Sequence, residues 1–306
     1  MEFLSGVHLS CFVLTYLVAL VTEVYQFLRR RTKWTRSVLV TSAAAGLVAH
    51  TAYLVTRSGS SGLPPLVGSS HDWLLVLAWL VAVLYLILVA TNQRAGIGLF
   101  VLPLTITLIV LALLVDKVPD ASHHHIAFRR WGMLHAASLV IGMGTVAAST
   151  LCAVMYLVQY QKLRGRTSWL HRLQLPSLEQ LTSLNKLLVV SSVAMLTIGL
   201  ITGFILAVFR RQTAEPFQWS DPLVGGTGFV WLVMVVAVAR LLTHREQSGR
   251  QVAQLTLMAG GFLLLTIFGL MLLSGGIHES AGAAVFSWPT ESAVRAIMFG
   301  EGTFDR

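Results

Sequence analysis

Long uninterrupted runs of apolar residues are the feature that most restricts how this chain can fold. Eight such runs lie near 6–27, 37–56, 72–91, 96–115, 132–159, 186–209, 223–243 and 251–274. A helix of about 20 apolar residues crosses the hydrocarbon layer of a bilayer, and its backbone satisfies its own hydrogen bonds there. The sequence therefore predicts an all-α, polytopic membrane helical bundle of about eight transmembrane helices. These form a single domain over 1–306, with an outer tail at 279–306.

Composition supports the membrane class. Only 11% of the residues are charged and the mean hydropathy is +0.74, whereas soluble domains are about 25% charged. The net charge of +9 comes from basic residues that flank the apolar runs, which is a membrane pattern and argues against nucleic-acid binding. Cys11 and Cys152 lie inside predicted helices without a CxxC or CxxCH motif, so no disulfide framework is expected.

The distribution of basic residues predicts the orientation of the bundle. If the connecting loops alternate sides, one side carries Arg57, Lys117, Arg129, Arg130, Arg210, Arg211, Arg295 and Arg306. The other side carries the larger share of the 22 basic residues, and the positive-inside rule places that side in the cytoplasm. Both termini then face outward. We expect a multi-pass protein of the cytoplasmic membrane of a bacterium.

Two connecting segments carry local signals. In the long cytoplasmic loop 161–185, Ser177 is followed three residues later by Gln180, the spacing of a capping box. This pattern predicts a short interfacial helix that leads into the sixth apolar run, and a hinge-like connector between the two runs is the alternative. On the outer side, the Gly- and Ser-rich segment 58–62 predicts a flexible loop.

Two of the ten histidines bracket the second half of the chain at the predicted outer face. His135 lies at the start of the fifth apolar run, and His278 lies just past the eighth. Neutral imidazole is a common ligand of haem iron, and two histidines from different helices can fill both axial positions. Interfacial histidines also serve as amphipathic anchors, so spacing alone leaves both interpretations open.

His50 differs because it lies within the second run, one to two turns below its outer end. Ionisable groups inside the hydrocarbon are costly and are usually functional or internally paired. The sequence leaves open a ligand role within the membrane and a neutral imidazole that is hydrogen-bonded to a neighbouring helix. The triplet 123–125 lies in an outer loop, where we expect at most loose metal binding.

Two basic pairs are predicted at the outer face, against the general trend. Arg129 and Arg130 precede the fifth run, and Arg210 and Arg211 follow the sixth. Guanidinium groups bind carboxylates in a forked geometry, so these pairs could hold the two propionates of haem. Binding of lipid headgroups is the equal alternative.

Several segments, taken in order, resemble the cytochrome c assembly family of CcsA-type haem-handling membrane proteins, and most closely its smaller YpjD/HemX-like branch. The segments are 49–54 around His50, 131–135 ending at His135, 175–186, 196–203, and 276–280 around His278. The outer loop 217–222 departs from the WGxxWxWD pattern of the large members. Only Trp219, Asp221 and Pro222 of that pattern remain, which fits the smaller, accessory branch.

The resemblance implies haem binding and a role in cytochrome c biogenesis. Haem b would be held non-covalently, with His135 and His278 as the iron ligands. Trp219 and Asp221 would line the porphyrin, and His50 would be a ligand during transfer. The chain would hold or deliver haem at the outer face without bond chemistry of its own. The implied partners are haem, other cytochrome c maturation membrane proteins and apocytochrome c, within the lipid bilayer and without nucleic acid.

The sequence leaves two other functions as alternatives. A membrane scaffold or regulator of haem and cytochrome assembly would bind no haem and would act through contacts in the bilayer. A small-solute transporter would need buried charges along a pathway. Apart from Glu23 and Arg240 the apolar runs contain almost none, which argues against transport.

Overall fold

The computed structural model describes residues 9–29, 32–61, 64–91, 96–115, 126–165, 173–210, 228–229, 231–236, 238–239 and 249–261. Seven helices lie in these ranges: α1 (Leu9–Leu28), α2 (Lys33–Ser61), α3 (Pro65–Gly68), α4 (Ser70–Thr91), α5 (Gly98–Leu114), α6 (Ile126–Leu163) and α7 (Leu178–Arg210). The described residues of 228–239 and 249–261 are also helical. The described ranges contain no strand, so the predicted all-α class is confirmed.

Six of the helices correspond to the first six predicted apolar runs: α1, α2, α4, α5, α6 and α7. All but α5 are long and apolar enough to cross a membrane, and α5 has 17 residues. The chain is therefore a multi-pass helical protein by length and composition. The count of eight spans and the outward termini remain predictions.

The predicted flexible loop at 58–62 is wrong over the described part of that segment, because α2 continues to Ser61. The Ser60 hydroxyl donates to the carbonyl of Arg57 at 2.8 Å. Arg57 is in turn paired with Asp72 of α4. The segment is therefore helical despite the weak helix propensity of its residues.

The capping box at Ser177 is confirmed, but the separate interfacial helix is not. The Ser177 N–H donates to Gln180 Oε1, and the Gln180 N–H donates to Ser177 Oγ, both at 3.3 Å. The helix that starts here runs without interruption to Arg210. Since no Gly or Pro follows until Gly199, nothing in the sequence breaks the helix between its interfacial and apolar parts.

Long helices that follow one another in the chain run antiparallel, which gives the bundle two distinct ends. In the α4–α5 pair, His71 bonds the carbonyl of Ala112 at one end, and Tyr85 lies against Gly98 at the other. We call the end where α4 and α6 begin and α2, α5 and α7 end the histidine end. The basic end is the one where α2, α5 and α7 begin and α6 ends at Leu163.

Glycines allow the helices to approach closely. A Cβ added to Gly46 would lie 2.6 Å from Thr15 Oγ1 of α1, and one added to Gly260 would lie 2.2 Å from Thr150 Oγ1 of α6. Small residues at such contacts bring helix backbones together within a bilayer. This packing places His50 and His135 in the interior of the histidine end.

Candidate functional site at the histidine end

His135 belongs to α6, and its half-buried ring packs against α7. Its Nδ1 is 2.8 Å from the carbonyl oxygen of Gly199, and Thr202 Oγ1 is 3.4 Å from the same nitrogen. A carbonyl oxygen can only accept a hydrogen bond, so Nδ1 carries the proton. In the neutral ring, Nε2 is therefore the nitrogen with the lone pair.

The sequence of α7 forms the seat for this ring. Gly199 and Gly203 are one turn apart on the same face, and a Cβ added to Gly203 would lie 2.9 Å from His135 Cε1. Between them, Thr202 donates its hydroxyl proton within its own helix, to the carbonyls of Ile198 and Gly199 at 2.8 and 2.9 Å. Gly203 therefore leaves room for the imidazole, whereas a Cβ added to Gly199 would meet Leu139 and Ser138 of α6.

The arrangement suits ligation through Nε2. Both hydrogen-bond contacts of the ring involve Nδ1, and no described residue bonds to Nε2. Histidines that ligate a metal usually donate their other N–H to a carbonyl or carboxylate, which fixes the tautomer and the ring orientation. The His135–Gly199 hydrogen bond is of that kind, and it gives a physical fit between this site and the iron of a haem.

His50 is fully buried in a different environment. The Phe12 ring stacks on it, with centroids 4.3 Å apart and planes 1° from parallel. The Tyr16 hydroxyl lies 3.4 Å from Nδ1. The Leu75 backbone lies near the ring, but Nε2 has no hydrogen-bond partner among the described residues. The contact with Tyr16 corresponds to an imidazole paired with a neighbouring helix, and ligation by His50 stays a prediction.

Two further buried polar residues at this end were missed from the sequence. His71 Nδ1 pairs with the carbonyl oxygen of Ala112. Asp72 is ion-paired with Arg57 and accepts a hydrogen bond from Ser69 Oγ at 2.9 Å. The available signal was the spacing of Ser69 and Asp72, which is that of a capping box immediately before the third apolar run.

The described residues include only part of the predicted site. The backbone of Arg129 and Arg130 lies in the first turn of α6, and Arg210 ends α7, so all three positions are at the histidine end. Their side chains lie outside the described residues, as do Arg211, Trp219, Asp221 and His278. Within the described ranges, no group of three or more His, Cys, Asp or Glu side chains could hold a metal ion.

Comparison with known protein families gives one match. The family model described as cytochrome C assembly protein matches residues 68–278, which is more than half of the chain. The matched region contains His135 with its α7 seat and ends at His278, whereas His50 lies outside it. A comparison with curated proteins found no match.

Proposed function

The chain belongs to the cytochrome c assembly protein family, and from that premise we propose that it binds haem b non-covalently at the histidine end. His135 and His278 are the proposed axial ligands, and the function is to hold or deliver haem in cytochrome c biogenesis. One observation carries the proposal. The Gly199 carbonyl fixes the proton on Nδ1 of His135 and so directs the lone pair of Nε2 away from that hydrogen bond.

The depth of His135 suits a ligand that arrives at or leaves from the membrane surface. His135 is four residues along α6 from Trp131, or about 6 Å along the helix axis. Trp131 is exposed and begins the apolar part of α6, and tryptophan is enriched at the membrane–water interface. A haem on His135 would therefore lie just below the interface, with its edge near the polar region.

The proposed surroundings of the porphyrin come from the ends of α6 and α7. Arg129 and Arg130 are within two turns of His135 along α6, and Arg210 is two turns beyond Gly203 along α7. Guanidinium groups at these positions, together with Arg211, would bind the propionates.

The second ligand and the aromatic lining are assigned from the sequence alone. Trp219 and Asp221 would lie along the porphyrin, and His278 would supply the second imidazole. The role of the chain in this proposal is to bind and orient haem, and the bond-forming chemistry of maturation belongs to partner membrane proteins and to apocytochrome c.

The short Trp219–Asp221 pattern favours the smaller YpjD/HemX-like branch and an accessory role. The family and the apolar helices favour the cytoplasmic membrane of a bacterium.

The haem content of the purified protein tests the proposal. Protein extracted in a neutral detergent should carry haem or take it up in stoichiometric amount, and His135→Ala should lower that amount severalfold. His171→Ala is the matched control, because it removes a histidine from the predicted cytoplasmic loop. Wild-type protein that binds no haem would favour the scaffold or regulator alternative instead.

A further inference from the structure

We propose that Tyr160, Arg164 and Arg250 form a binding site for a phosphate-bearing anion at the basic end of the bundle, suited to the headgroup of an anionic phospholipid. This site lies at the other end of α6 from His135. It requires no haem, and the proposed function does not depend on it.

Two guanidinium groups converge on one tyrosine ring. The Cζ atom of Arg164 lies 4.8 Å from the centroid of the Tyr160 ring, and that of Arg250 lies 5.4 Å from it. The two cationic carbons can therefore be no more than about 10 Å apart. Arg164 directly follows α6, while Arg250 belongs to the helical residues 249–261. The pair thus joins two elements that are far apart in the sequence.

The arginines border a cleft rather than a flat surface. The cleft has a volume of about 150 Å³ and is lined by Leu157, Tyr160, Gln161, Arg164, Arg250 and Gln254. At about 30 Å³ for each water, this volume corresponds to roughly five water molecules, enough for a compact anionic group. The glutamine amides add uncharged donors beside the two cations.

The two positive charges beside the cleft favour an anion as its ligand. Within the described ranges the one salt bridge is between Arg57 and Asp72, and that pair lies at the histidine end. No described carboxylate therefore compensates Arg164 or Arg250. Both guanidinium groups are exposed, so solvent weakens the repulsion between them without removing it, and each also makes a cation–π contact with the ring. A phosphate bound between two guanidinium forks would remove the repulsion and add charge-assisted hydrogen bonds.

The position in the fold favours a lipid headgroup as the source of that phosphate. The cleft lies where the apolar helix α6 ends, at the level of a membrane surface. Basic pockets between transmembrane helices on the cytoplasmic side bind anionic lipid headgroups. The nearby Lys162 uses one of its three N–H donors for the carbonyl of Leu173, at 2.7 Å.

Native mass spectrometry of the full chain in a neutral detergent tests the proposal. The protein is titrated with phosphatidylglycerol, with phosphatidylcholine as the neutral headgroup. Arg164→Gln combined with Arg250→Gln should weaken phosphatidylglycerol binding by about tenfold or more, because this variant removes the charge-assisted hydrogen bonds of both guanidinium groups to the headgroup. Lys33→Gln combined with Arg36→Gln is the matched control, because it removes two charges from the start of α2 at the same end and should change binding less than about twofold.

Two further arms decide the source of the anion and guard against misfolding. Inorganic phosphate that displaces phosphatidylglycerol at millimolar concentration would support the anion site and make free phosphate its ligand, whereas no displacement supports a lipid. Arg164→Lys combined with Arg250→Lys keeps both positive charges. If these charges attract the headgroup, this variant should bind phosphatidylglycerol more tightly than the Gln double variant does. Equal binding of both lipids, or phosphatidylglycerol affinity unchanged in the Gln double variant, would overturn the proposal.

Discussion

The Nδ1 atom of His135 and the carbonyl oxygen of Gly199 lie 2.8 Å apart, although the residues are 64 positions apart in the chain. This hydrogen bond joins the first third of α6 to α7 at the histidine end. It sets the tautomer of the imidazole and holds the ring in one orientation. The proposed role of His135 as a ligand therefore depends on residues of α7 that have no metal-binding chemistry of their own.

Gly203→Ala should weaken haem binding without removing a ligand. The new methyl group would lie 2.9 Å from His135 Cε1 and 3.2 Å from Nδ1, so the ring must move and its bond to Gly199 is strained. Overpacking of this kind costs about 1–3 kcal/mol, which corresponds to a roughly 5- to 150-fold loss of affinity in a haem titration. Gly261→Ala is the control, because no atom of the described residues lies within 4 Å of its new methyl group. Equal affinities for the two variants would show that ring position does not matter.

Removing only one member of the Arg57–Asp72 pair should cost more than removing both. The Asp72 side chain is 2% exposed and that of Arg57 is 24% exposed, so Arg57→Met leaves a buried carboxylate with one partner fewer. Loss of one member of a buried ion pair costs about 3–5 kcal/mol, and the partial exposure of Arg57 places the expected loss near the lower limit. Thermal unfolding in detergent should show that Arg57→Met combined with Asp72→Asn is more stable than Arg57→Met alone. Strictly additive losses would contradict this coupling.

Glu23 should be a structural anchor of the basic end. It is buried in α1, and its Oε1 accepts hydrogen bonds from the N–H groups of Gly96 and Gly98 at 2.9 and 3.1 Å. Hydrogen bonds to a charged group contribute about 1.5–3 kcal/mol each, so Glu23→Ala should lower the free energy of unfolding by about 3 kcal/mol. Glu23→Gln, which keeps one acceptor oxygen, should lose less. Glu179→Gln is the control: it removes an exposed carboxylate from the first turn of α7 and should lower stability by less than about 1 kcal/mol. A Glu23→Ala variant as stable as wild type would rule out the anchoring role.

Two glycines of α2 should respond in opposite directions to substitution by alanine. At Gly46 the methyl group would lie 2.6 Å from Thr15 Oγ1 and 2.8 Å from the Tyr16 ring, whereas at Gly59 no described atom would lie within 4 Å of it. We expect Gly46→Ala to destabilise the protein by about 1–3 kcal/mol and Gly59→Ala to stabilise it by about 0.5–1 kcal/mol. The readout is the buried thiol of Cys152, which reacts with a maleimide only when the bundle opens. It is measured in variants that also carry Cys11→Ser, because Cys11 is exposed and would react at once. The same sign of change at both positions would contradict the packing.

The helices were largely predictable from the sequence, because a long apolar run in a bilayer satisfies its backbone hydrogen bonds as a helix. The extension of α2 through Gly59 was not, since the residues of 58–61 favour a loop and α2 nevertheless continues to Ser61. The joining of 178–184 to the rest of α7 could be inferred only from the absence of Gly and Pro before Gly199, because the polarity of the segment favours a separate interfacial helix.

The candidate site was predictable only as residue types at approximate depths. The order of histidines and apolar runs indicated that His135 and His50 lie near one face. Neither the Gly199 carbonyl beside His135 nor Phe12 stacked on His50 follows from any local pattern, because both depend on which helices pack together. The sequence therefore could not separate a histidine with an available nitrogen from one enclosed in the core.

The most direct test of the account is the spin state of haem bound to His135→Gly in the presence and absence of free imidazole. Wild-type protein loaded with ferric haem should give the low-spin spectrum of two imidazole ligands. His135→Gly should give a high-spin spectrum, and added imidazole should restore the low-spin form by occupying the space left beside Gly203. A low-spin spectrum that persists in the variant that carries both His135→Gly and His278→Gly would contradict the assignment of these two residues as ligands.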